Sequence, residues 1–224
     1  MRALFLVASC LVCCSAQAQV SNSYNNVYVG LGATSIVSVG YAKPLNDRWG
    51  MRGDLAMTPK LTYSDKVSNG SADISFKSNR LGLFADWFPF DNNLRLVGGL
   101  TLNDIRADLS GVSAAGNFVT INNKRVSLAG ETYNASLTFP SVTPYVGVGL
   151  GHNPKNEKGL GFHADVGLMI GSFSSGITTS VLNKNISGVT ITQADIDKET
   201  QTVKDTISSV GVLPSLSVGL SYRF

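Results

Sequence analysis

Residues Val212–Phe224 have the sequence Val-Leu-Pro-Ser-Leu-Ser-Val-Gly-Leu-Ser-Tyr-Arg-Phe and end the chain. Successive side chains of a β-strand point to opposite faces of the sheet. Here an apolar side chain stands at every second position, and the positions between are mostly small or polar. The pattern therefore predicts a strand with one apolar face and one mostly polar face.

The apolar series ends on Phe224, with Tyr222 two positions earlier. This ending resembles the assembly signal of bacterial outer-membrane β-barrels, whose last strand is recognised by the insertion machinery and then closes against the first strand. The resemblance implies an assembly role for Leu216, Val218, Leu220, Tyr222 and Phe224. The alternative is an ordinary amphipathic strand at the edge of a soluble sheet.

The amino terminus has the features of a secretory signal peptide. After a positively charged start, an apolar or small run covers Ala3–Cys14 and the A-x-A pattern follows at Ala16–Ala18. We predict cleavage between Ala18 and Gln19, which leaves residues 19–224 as a single barrel domain. The run is too short to span a membrane as a helix. A lipoprotein signal at Cys10 is the alternative.

Composition excludes several classes of protein. All 3 cysteines lie in the predicted signal, so we expect no disulfide, thiolate metal site or cysteine nucleophile in the mature chain. Charged residues make up 15% of the chain, below the roughly 25% of soluble domains, and no basic cluster suggests nucleic-acid binding. Beyond the signal no apolar run approaches the ~20 residues of a membrane helix. A membrane protein of this sequence must therefore be a β-barrel.

Alternating segments predict eight strands joined by connections that, after the first, alternate between short and long. Such a pattern is typical of a transmembrane eight-stranded antiparallel up-and-down β-barrel, an all-β fold, with both termini in the periplasm. Pro59–Ser71 is predicted to be a polar loop. The predicted strands are Val27–Thr34, a segment around Val37–Tyr41, one from Trp49, Asp73–Phe88, one from Leu94, Ala135–Leu150, one around Leu160–Ile170, and Val212–Phe224.

The fourth predicted strand changes its pattern partway along. Ile74 and Phe76 stand at even positions, whereas the apolar residues of Leu81–Trp87 stand at odd ones. A slip of one residue moves every side chain to the other face. The sequence therefore indicates either a bulge near Ser78 or Asn79, or entry into the membrane only after that point.

The long connections carry some structure of their own. Val119–Val126 predicts a small hairpin above the barrel. In the last long loop, Gly176–Asp205, the sequence Thr192–Asp195 has the form of a capping box, and apolar residues follow at helical spacing. We therefore expect a short helix there.

Aromatic residues from distant parts of the sequence fall at one predicted depth. An interfacial belt at the periplasmic rim explains this grouping. Its members are Tyr41, Trp49, Trp87, Phe88, Phe90, Tyr222 and Phe224.

The predicted inward faces carry a set of charged and ionisable residues, all but Arg80 close to a periplasmic turn. An eight-stranded barrel is just wide enough for side chains to fill it or to hold one small ligand. The set is therefore either a mutually paired plug, in which three aspartates balance Arg52, Arg95 and Arg223, or a charge-lined constriction that selects solutes. The predicted lumenal residues are Arg52, Asp54, Arg80, Asp86, Arg95, His163, Asp165 and Arg223.

Three segments, with the predicted loop helix, resemble the small barrels related to the carbapenem-associated outer-membrane protein, also described as an ornithine uptake porin. They are Leu81–Phe90 (LGLFADWFPF), Thr143–Gly151 (TPYVGVGLG) and Leu213-Pro214. The resemblance covers nearly the whole mature chain and implies slow passage of small solutes, with basic amino acids among the candidates. A weaker similarity is to the OmpW-like barrels.

Catalysis is not indicated. Only His152 and His163 are present, and neither has a serine placed as a nucleophile, while His163-x-Asp165 is too sparse for a metal site. We expect no enzyme activity, metal or cofactor. The sequence predicts a narrow outer-membrane pore for small solutes or, alternatively, a structural or surface-interaction barrel. Its predicted partners are outer-membrane lipid, the barrel-assembly machinery, periplasmic chaperones and small solutes.

Overall fold

The computed structural model describes residues 24–67, 70–90, 92–113, 118–127, 130–186, 188–208 and 211–224. The predicted signal peptide and its cleavage point between Ala18 and Gln19 lie outside these residues. The elements are β1 Asn26–Gly32, β2 Val37–Pro44, β3 Trp49–Val67, β4 Gly70–Trp87, β5 Leu94–Ser113, β6 Phe118–Ile121, β7 Lys124–Ser127, β8 Thr132–Thr138, β9 Val142–Leu150, β10 Gly159–Ile170, β11 Ser174–Thr179, β12 Asn185–Ile186, β13 Val189–Thr190, α1 Gln193–Ser208 and β14 Val212–Arg223.

Eight antiparallel strands close into a ring in the order β1-β2-β3-β4-β5-β9-β10-β14. The ring closes where β1 pairs with β14, from Asn26 opposite Arg223 to Gly32 opposite Ser217. Asn26 and Arg223 lie at one end of the ring, where Trp49 also pairs with Trp87. We call this end the terminal mouth. The prediction of an eight-stranded up-and-down barrel is confirmed.

The wall of the ring is apolar on its outside. Large side chains on every strand point outward and are exposed, for example Val29 at 57%, Leu83 at 62% and Phe162 at 57%. The outward face of β14 carries Leu216, Val218, Leu220 and Tyr222, and Phe224 follows it, also exposed. The alternation predicted for the last strand is confirmed.

The predicted polar loop at Pro59–Ser71 is wrong. β3 continues through this segment to Val67, and β4 begins at Gly70. The two strands rise beyond the apolar wall, where polar side chains on a strand meet water at no cost. Hydrophobic alternation therefore ends there although the hydrogen-bonded ladder does not.

The change of pattern in β4 is not a bulge of that strand, because β4 pairs with β5 without a shift from Gly70 to Trp87. The only irregularity nearby lies in β3, between Thr58 and Leu61. Ile74 and Phe76 consequently share the inward face of β4 with Arg80. The second explanation, entry into the membrane only after Ser78 and Asn79, is consistent with this regular register.

The sixth predicted strand, Ala135–Leu150, is two strands. β8 and β9 are separated at Phe139–Ser141, where Pro140 supplies no backbone N–H for a ladder. β8 pairs with the upper half of β5, and β11 pairs with β8 after a similar break at Gly171–Phe173. The wall above these breaks is therefore a separate extension of the sheet.

A folded cap, formed by residues 118–127, 180–186 and 188–208, lies on this extension. Its core contains Ile121, Val126, Val181, Ile191 and Ile196. The predicted hairpin is confirmed as β6 paired with β7, and the predicted helix as α1. In the described part of the chain, no helix has the length and apolar character needed to cross a membrane.

Most of the predicted aromatic rim is exposed around the terminal mouth. The rings of Trp49 and Trp87 stack with their centroids 6.0 Å apart. Tyr41, Tyr222, Phe90 and Phe224 are exposed as well. Placing Phe88 in this rim is wrong, because it follows Trp87 on the opposite, inward face and is buried.

Candidate functional site

The predicted charged residues come together in the lumen from four strands. β3 supplies Arg52 and Asp54, and β4 supplies Arg80 and Asp86. β5 supplies Arg95, and β10 supplies His163 and Asp165. Strand alternation points all seven inward, and all seven are buried.

Two arginines and two aspartates form a closed ring of alternating charge. Asp165 accepts hydrogen bonds from Arg95 Nη2 at 2.7 and 2.8 Å, and from Arg52 Nη1 and Nη2 at 3.3 Å each. Asp86 lies 3.3 Å from Arg52 Nε through one carboxylate oxygen and 3.4 Å from Arg95 Nε through the other. Each side chain of this four-residue ring is at most 5% exposed. We call it the charge ring.

A glycine on β9 makes room for the charge ring. Gly149 lies opposite Arg95 on one side and opposite Asp165 on the other. A Cβ at this position would come within 2.9 Å of the Arg95 guanidinium carbon. Arg95 therefore crosses β9 to reach Asp165 only because the intervening residue has no side chain.

Arg95 is also fixed by the backbone. Its Nη1 donates to the carbonyl oxygens of Leu150 at 3.1 Å and Gly151 at 2.6 Å. Arg52 instead lies against aromatic rings, with its guanidinium carbon 4.8 Å from the centroid of Phe84 and 5.8 Å from that of Tyr28. Cation–π contacts of this kind stabilise a desolvated guanidinium.

Asp54 and Arg80 form a second pair beside the charge ring. Arg80 Nη2 lies 3.4 Å from Asp54 Oδ2, and Arg80 Nη1 donates to Ser215 Oγ of β14 at 3.1 Å. Because β4 and β14 are not neighbours in the wall, this side chain crosses the lumen. The pair therefore ties opposite sides of the barrel together.

The predicted balancing role of Arg223 is wrong among the described residues. Arg223 lies on the inward face at the terminal mouth, where its Nε donates to the carbonyl oxygen of Glu157 at 2.7 Å. None of the ion pairs among the described residues includes it, and the partner of Asp54 is Arg80. The side chain next to the mouth bonds to a turn instead of reaching the charge ring.

A group of rings at the terminal mouth was not predicted from the sequence. Tyr28 lies 4.7 Å from His152 and 5.0 Å from His163, centroid to centroid. Asn26 Nδ2 lies 2.8 Å from His152 Nδ1. The inward position of Tyr28 follows from strand alternation. No sequence pattern indicates the inward position of His152. This residue lies in a turn, and its backbone has a φ of 58°, which directs the ring back into the barrel.

The buried polar atoms of this group lack full hydrogen bonding among the described residues. Tyr28 Oη, His152 Nε2 and His163 Nδ1 have no partner there. A cavity of about 10 Å³ lies beside them, lined by Asn26, Asp86 and His152 among others. This volume corresponds to about one water molecule.

An apolar layer fills the lumen on the cap side of the charge ring. Phe84 and Tyr145 meet edge to face, with centroids 5.0 Å apart. Thr101 Oγ1 and Thr143 Oγ1 are hydrogen bonded at 2.7 Å, and both residues are fully buried. The layer also contains Val97, Ile105, Phe139 and Met169. Side chains therefore occupy the lumen above and within the charge ring.

The paired charges of this site are suited to binding small polar solutes or to closing the lumen. Among residues 24–224 that are described, no group of three or more His, Cys, Asp or Glu could hold a metal ion. The ionised groups of the charge ring and of the Asp54–Arg80 pair contribute three guanidinium and three carboxylate charges, which balance. These six side chains consequently carry no net charge, and Arg223 at the terminal mouth lies outside this balance.

Known proteins resemble this chain in structure. No family model matches the chain, and no curated protein matches it by sequence. The structure is similar to CarO of Acinetobacter baumannii, with a TM-score of 0.58 and 20% identity over 90% of this chain and 98% of that one. It is also similar to CarO2 of the same organism, with a TM-score of 0.61 and 18% identity over 90% and 99%.

At this level of identity the likeness concerns the fold. The predicted resemblance to barrels related to the carbapenem-associated protein is confirmed in that sense, whereas the OmpW similarity stays a prediction. The chain is an eight-stranded β-barrel of the architecture found in the two CarO structures.

Proposed function

We propose that this protein is a bacterial outer-membrane β-barrel. The observation that carries the proposal is the continuous apolar outer wall around a closed ring of strands. A soluble protein rarely exposes apolar patches larger than a few hundred Å², because that surface promotes association. A closed barrel also satisfies its backbone hydrogen bonds without water, as a membrane-spanning protein requires.

In the proposed orientation, both termini lie in the periplasm and the cap lies outside the cell. The short turns at the terminal mouth and the long cap-side segments support it, because outer-membrane barrels have short periplasmic turns and long outer loops. Cleavage between Ala18 and Gln19 and recognition of Leu216–Phe224 by the assembly machinery belong to the same proposal. Outer-membrane lipid and periplasmic chaperones are its expected partners.

The proposed activity is slow passage of small solutes through the lumen. The charge ring closes the lumen in this conformation, so passage requires its four side chains to separate and admit water. Charged side chains at a constriction select solutes whose own charged groups can take the place of the ion-pair partner. Basic amino acids fit the carboxylates of Asp86 and Asp165, and acidic ones fit the arginines, so the balanced ring leaves the sign of the solute open.

A structural or surface-interaction barrel is the second candidate. Two observations favour it: the apolar layer adds a second barrier above the charge ring, and the cap has a folded core of its own. In this case the lumen is a rigid plug and the cap is the working surface. An enzyme is not supported, because neither histidine has a serine or cysteine partner in the described lumen.

Solute flux into liposomes distinguishes the two candidates. We expect the wild-type barrel to pass small amino acids slowly. Asp86→Ala, which leaves Arg52 and Arg95 unpaired on one side, should raise flux and shift selectivity toward anions. Asp108→Ala is the control, because Asp108 lies outside the lumen and pairs with Arg106. A tight wild type together with a tight Asp86→Ala variant would contradict the pore and leave the structural barrel.

A further inference from the structure

A row of three cations crosses the outer surface just above the apolar wall. Lys77 of β4 lies directly opposite Arg106 of β5. On the other side of Lys77, the irregular stretch of β3 between Thr58 and Leu61 contains Lys60. Lys60 lines the same outer surface as Arg106 and Asp108. We call these three residues the cationic row.

Ion pairs within the described part of the sheet offset the charges of Lys77 and Arg106 but not that of Lys60. Like charges directly opposite each other on neighbouring strands are destabilising. Asp104 pairs with Lys77, and Asp108 lies 2.9 Å from Arg106 Nε, yet no described carboxylate pairs with Lys60. The side chains of Lys77 and Arg106 remain 44% and 53% exposed. The row therefore has one excess positive charge and accessible donors on three adjacent strands.

An apolar groove lies directly below this row on the outer wall. It has a volume of about 460 Å³ and runs across β3, β4, β5 and β9. Asn79 and Asp104 also line it, each two residues along its strand from Lys77 and Arg106 respectively. Its apolar lining is Leu55, Met57, Leu81, Leu102 and Val142.

We propose that the groove and the cationic row form a binding site for one amphiphile with a phosphate headgroup, a lipid of the outer leaflet. An acyl chain lies in the groove along Leu81 and Leu102, and the phosphate contacts Lys60, Lys77 and Arg106. Basic clusters beside a membrane-embedded surface bind lipid headgroups in this manner. The inference rests on the proposed function, because the groove meets acyl chains only in a membrane.

The arrangement favours a lipid over a free anion. The three cations lie at one level, and that level coincides with the end of the apolar wall, where a bilayer places its phosphates. The carboxylates of Asp104 and Asp108 reduce the attraction for a small mobile anion. A lipid phosphate is held at the row by its chain and needs less attraction to remain there.

The test uses the full mature chain folded in detergent micelles and titrated with dilauroyl phosphatidic acid, with binding measured by native mass spectrometry. The variant carries Lys60→Gln, Lys77→Gln and Arg106→Gln. The control carries Lys43→Gln, Arg48→Gln and Lys158→Gln, which remove the same charge from exposed positions at the terminal mouth. We expect binding at least about tenfold weaker in the variant and unchanged in the control.

Two further probes identify the source of the phosphate. Dilauroylglycerol has the same chains without phosphate, and inorganic phosphate has no chain. Both should bind wild type more weakly than phosphatidic acid. Equal binding of phosphatidic acid by wild type and variant, or equal binding of inorganic phosphate and phosphatidic acid by wild type, would overturn the lipid site.

Failure of the proposed function gives a different result. A barrel folded in bilayers migrates differently on a gel before and after boiling, because its closed ring resists unfolding. If the wild type does not insert into bilayers, the membrane proposal fails. If it inserts and the variant still binds phosphatidic acid like wild type, only the lipid site fails.

Discussion

The barrel and the cap are built on opposite plans. In the barrel, charged side chains such as Arg95 and Asp165 lie inside and apolar ones such as Leu83 face outward. In the cap, Ile191 and Val181 form the interior, and Lys184 on its surface pairs with Glu131 of the adjoining segment. The difference follows if the surroundings of each region decide its pattern, with the proposed membrane outside the barrel and water outside the cap.

The two plans meet along a single strand. On β4, Leu81 and Leu83 face outward, while Lys77 takes an outward position four residues before Leu81. Ile74 and Phe76 then lie on the inner face, above the filled lumen. The apolar side chains of β4 therefore change from the inner to the outer face at Ser78 and Asn79. This level marks the outer boundary of the proposed membrane.

The largest expected effect is on membrane assembly, and it should arise from changes in the closing strand of the barrel but not from changes in the extension above it. Tyr222→Ser with Phe224→Ser should abolish nearly all membrane assembly, because these outward aromatics belong to the proposed signal on the closing strand. Leu61→Ser with Tyr63→Ser removes apolar surface from β3 above the barrel and is the control. Fractionation of cells measures both. Normal outer-membrane levels of the first variant would contradict the assembly signal.

The next largest effect concerns the charge ring. Asp165→Ala leaves Asp86 as the one carboxylate of the charge ring for both Arg52 and Arg95. Breaking a buried ion pair costs roughly 3–5 kcal/mol of unfolding free energy. Asp108→Ala breaks only an exposed pair and should cost less than about 1 kcal/mol. Urea unfolding in detergent, followed by gel mobility, measures both. Equal losses would mean that the lumenal pairs are no more stabilising than surface ones.

A core substitution in the cap should act locally. Ile191→Ala leaves a cavity in a fully buried site, at a cost of about 2–5 kcal/mol to the packing of the cap. Amide hydrogen exchange in α1 should become faster while the unfolding midpoint of the barrel stays unchanged. Leu45→Ala, in an exposed turn, is the control. A matching decrease in barrel stability would show that the two regions unfold as one unit.

The smallest effect is a pH dependence of the cap. Hydrogen bonds from Lys124 Nζ and from the Thr192 backbone N–H hold the pKa of Asp195 below its usual value. The folded cap thus favours the carboxylate, and this stability is present above the unfolded pKa of about 3.9 and lost as pH falls through the lower folded pKa. The protection factors of the α1 amides, which correct for the slower intrinsic exchange in acid, should therefore decrease below about pH 4.

Asp195→Asn is the matched variant for this measurement. Without a titrating carboxylate at the start of α1, the protection factors of its amides should depend less on pH over the same range. An identical pH profile in both proteins would exclude Asp195 as the cause.

The barrel could be predicted because one physical signal repeats along it. An outer wall that faces the proposed membrane requires an apolar residue at every second position, and β10 and β14 show this without interruption. The same alternation placed Arg52 and Asp165 in the lumen. The depth of a side chain in the lumen, however, does not give its partners. Arg80 pairs with Asp54 of the neighbouring strand and reaches Ser215 across the lumen, whereas Arg223 turns to Glu157.

The remaining features depend on contacts that alternation does not encode. Beyond the boundary, water removes the demand for an apolar face, so the continuation of β3 to Val67 leaves no signal. The entry of His152 into the lumen depends on one left-handed backbone conformation. The break at Pro140 could not be told from its proline alone, because Pro144 and Pro214 also lack a backbone N–H and lie within β9 and β14.

The unequal lengths of the wall strands have a consequence for the order of folding. β1 has 7 residues, whereas β4 and β5 have 18 and 20, and they join in consecutive hairpins. Contacts close in sequence form first, since bringing distant segments together carries a larger entropic cost. The β3–β4–β5 meander can therefore form as a nucleus, while the seam between β1 and β14 joins the two ends of the barrel and forms last. By the same reasoning, a force applied to the amino terminus would detach β1 first and open the ring at that seam.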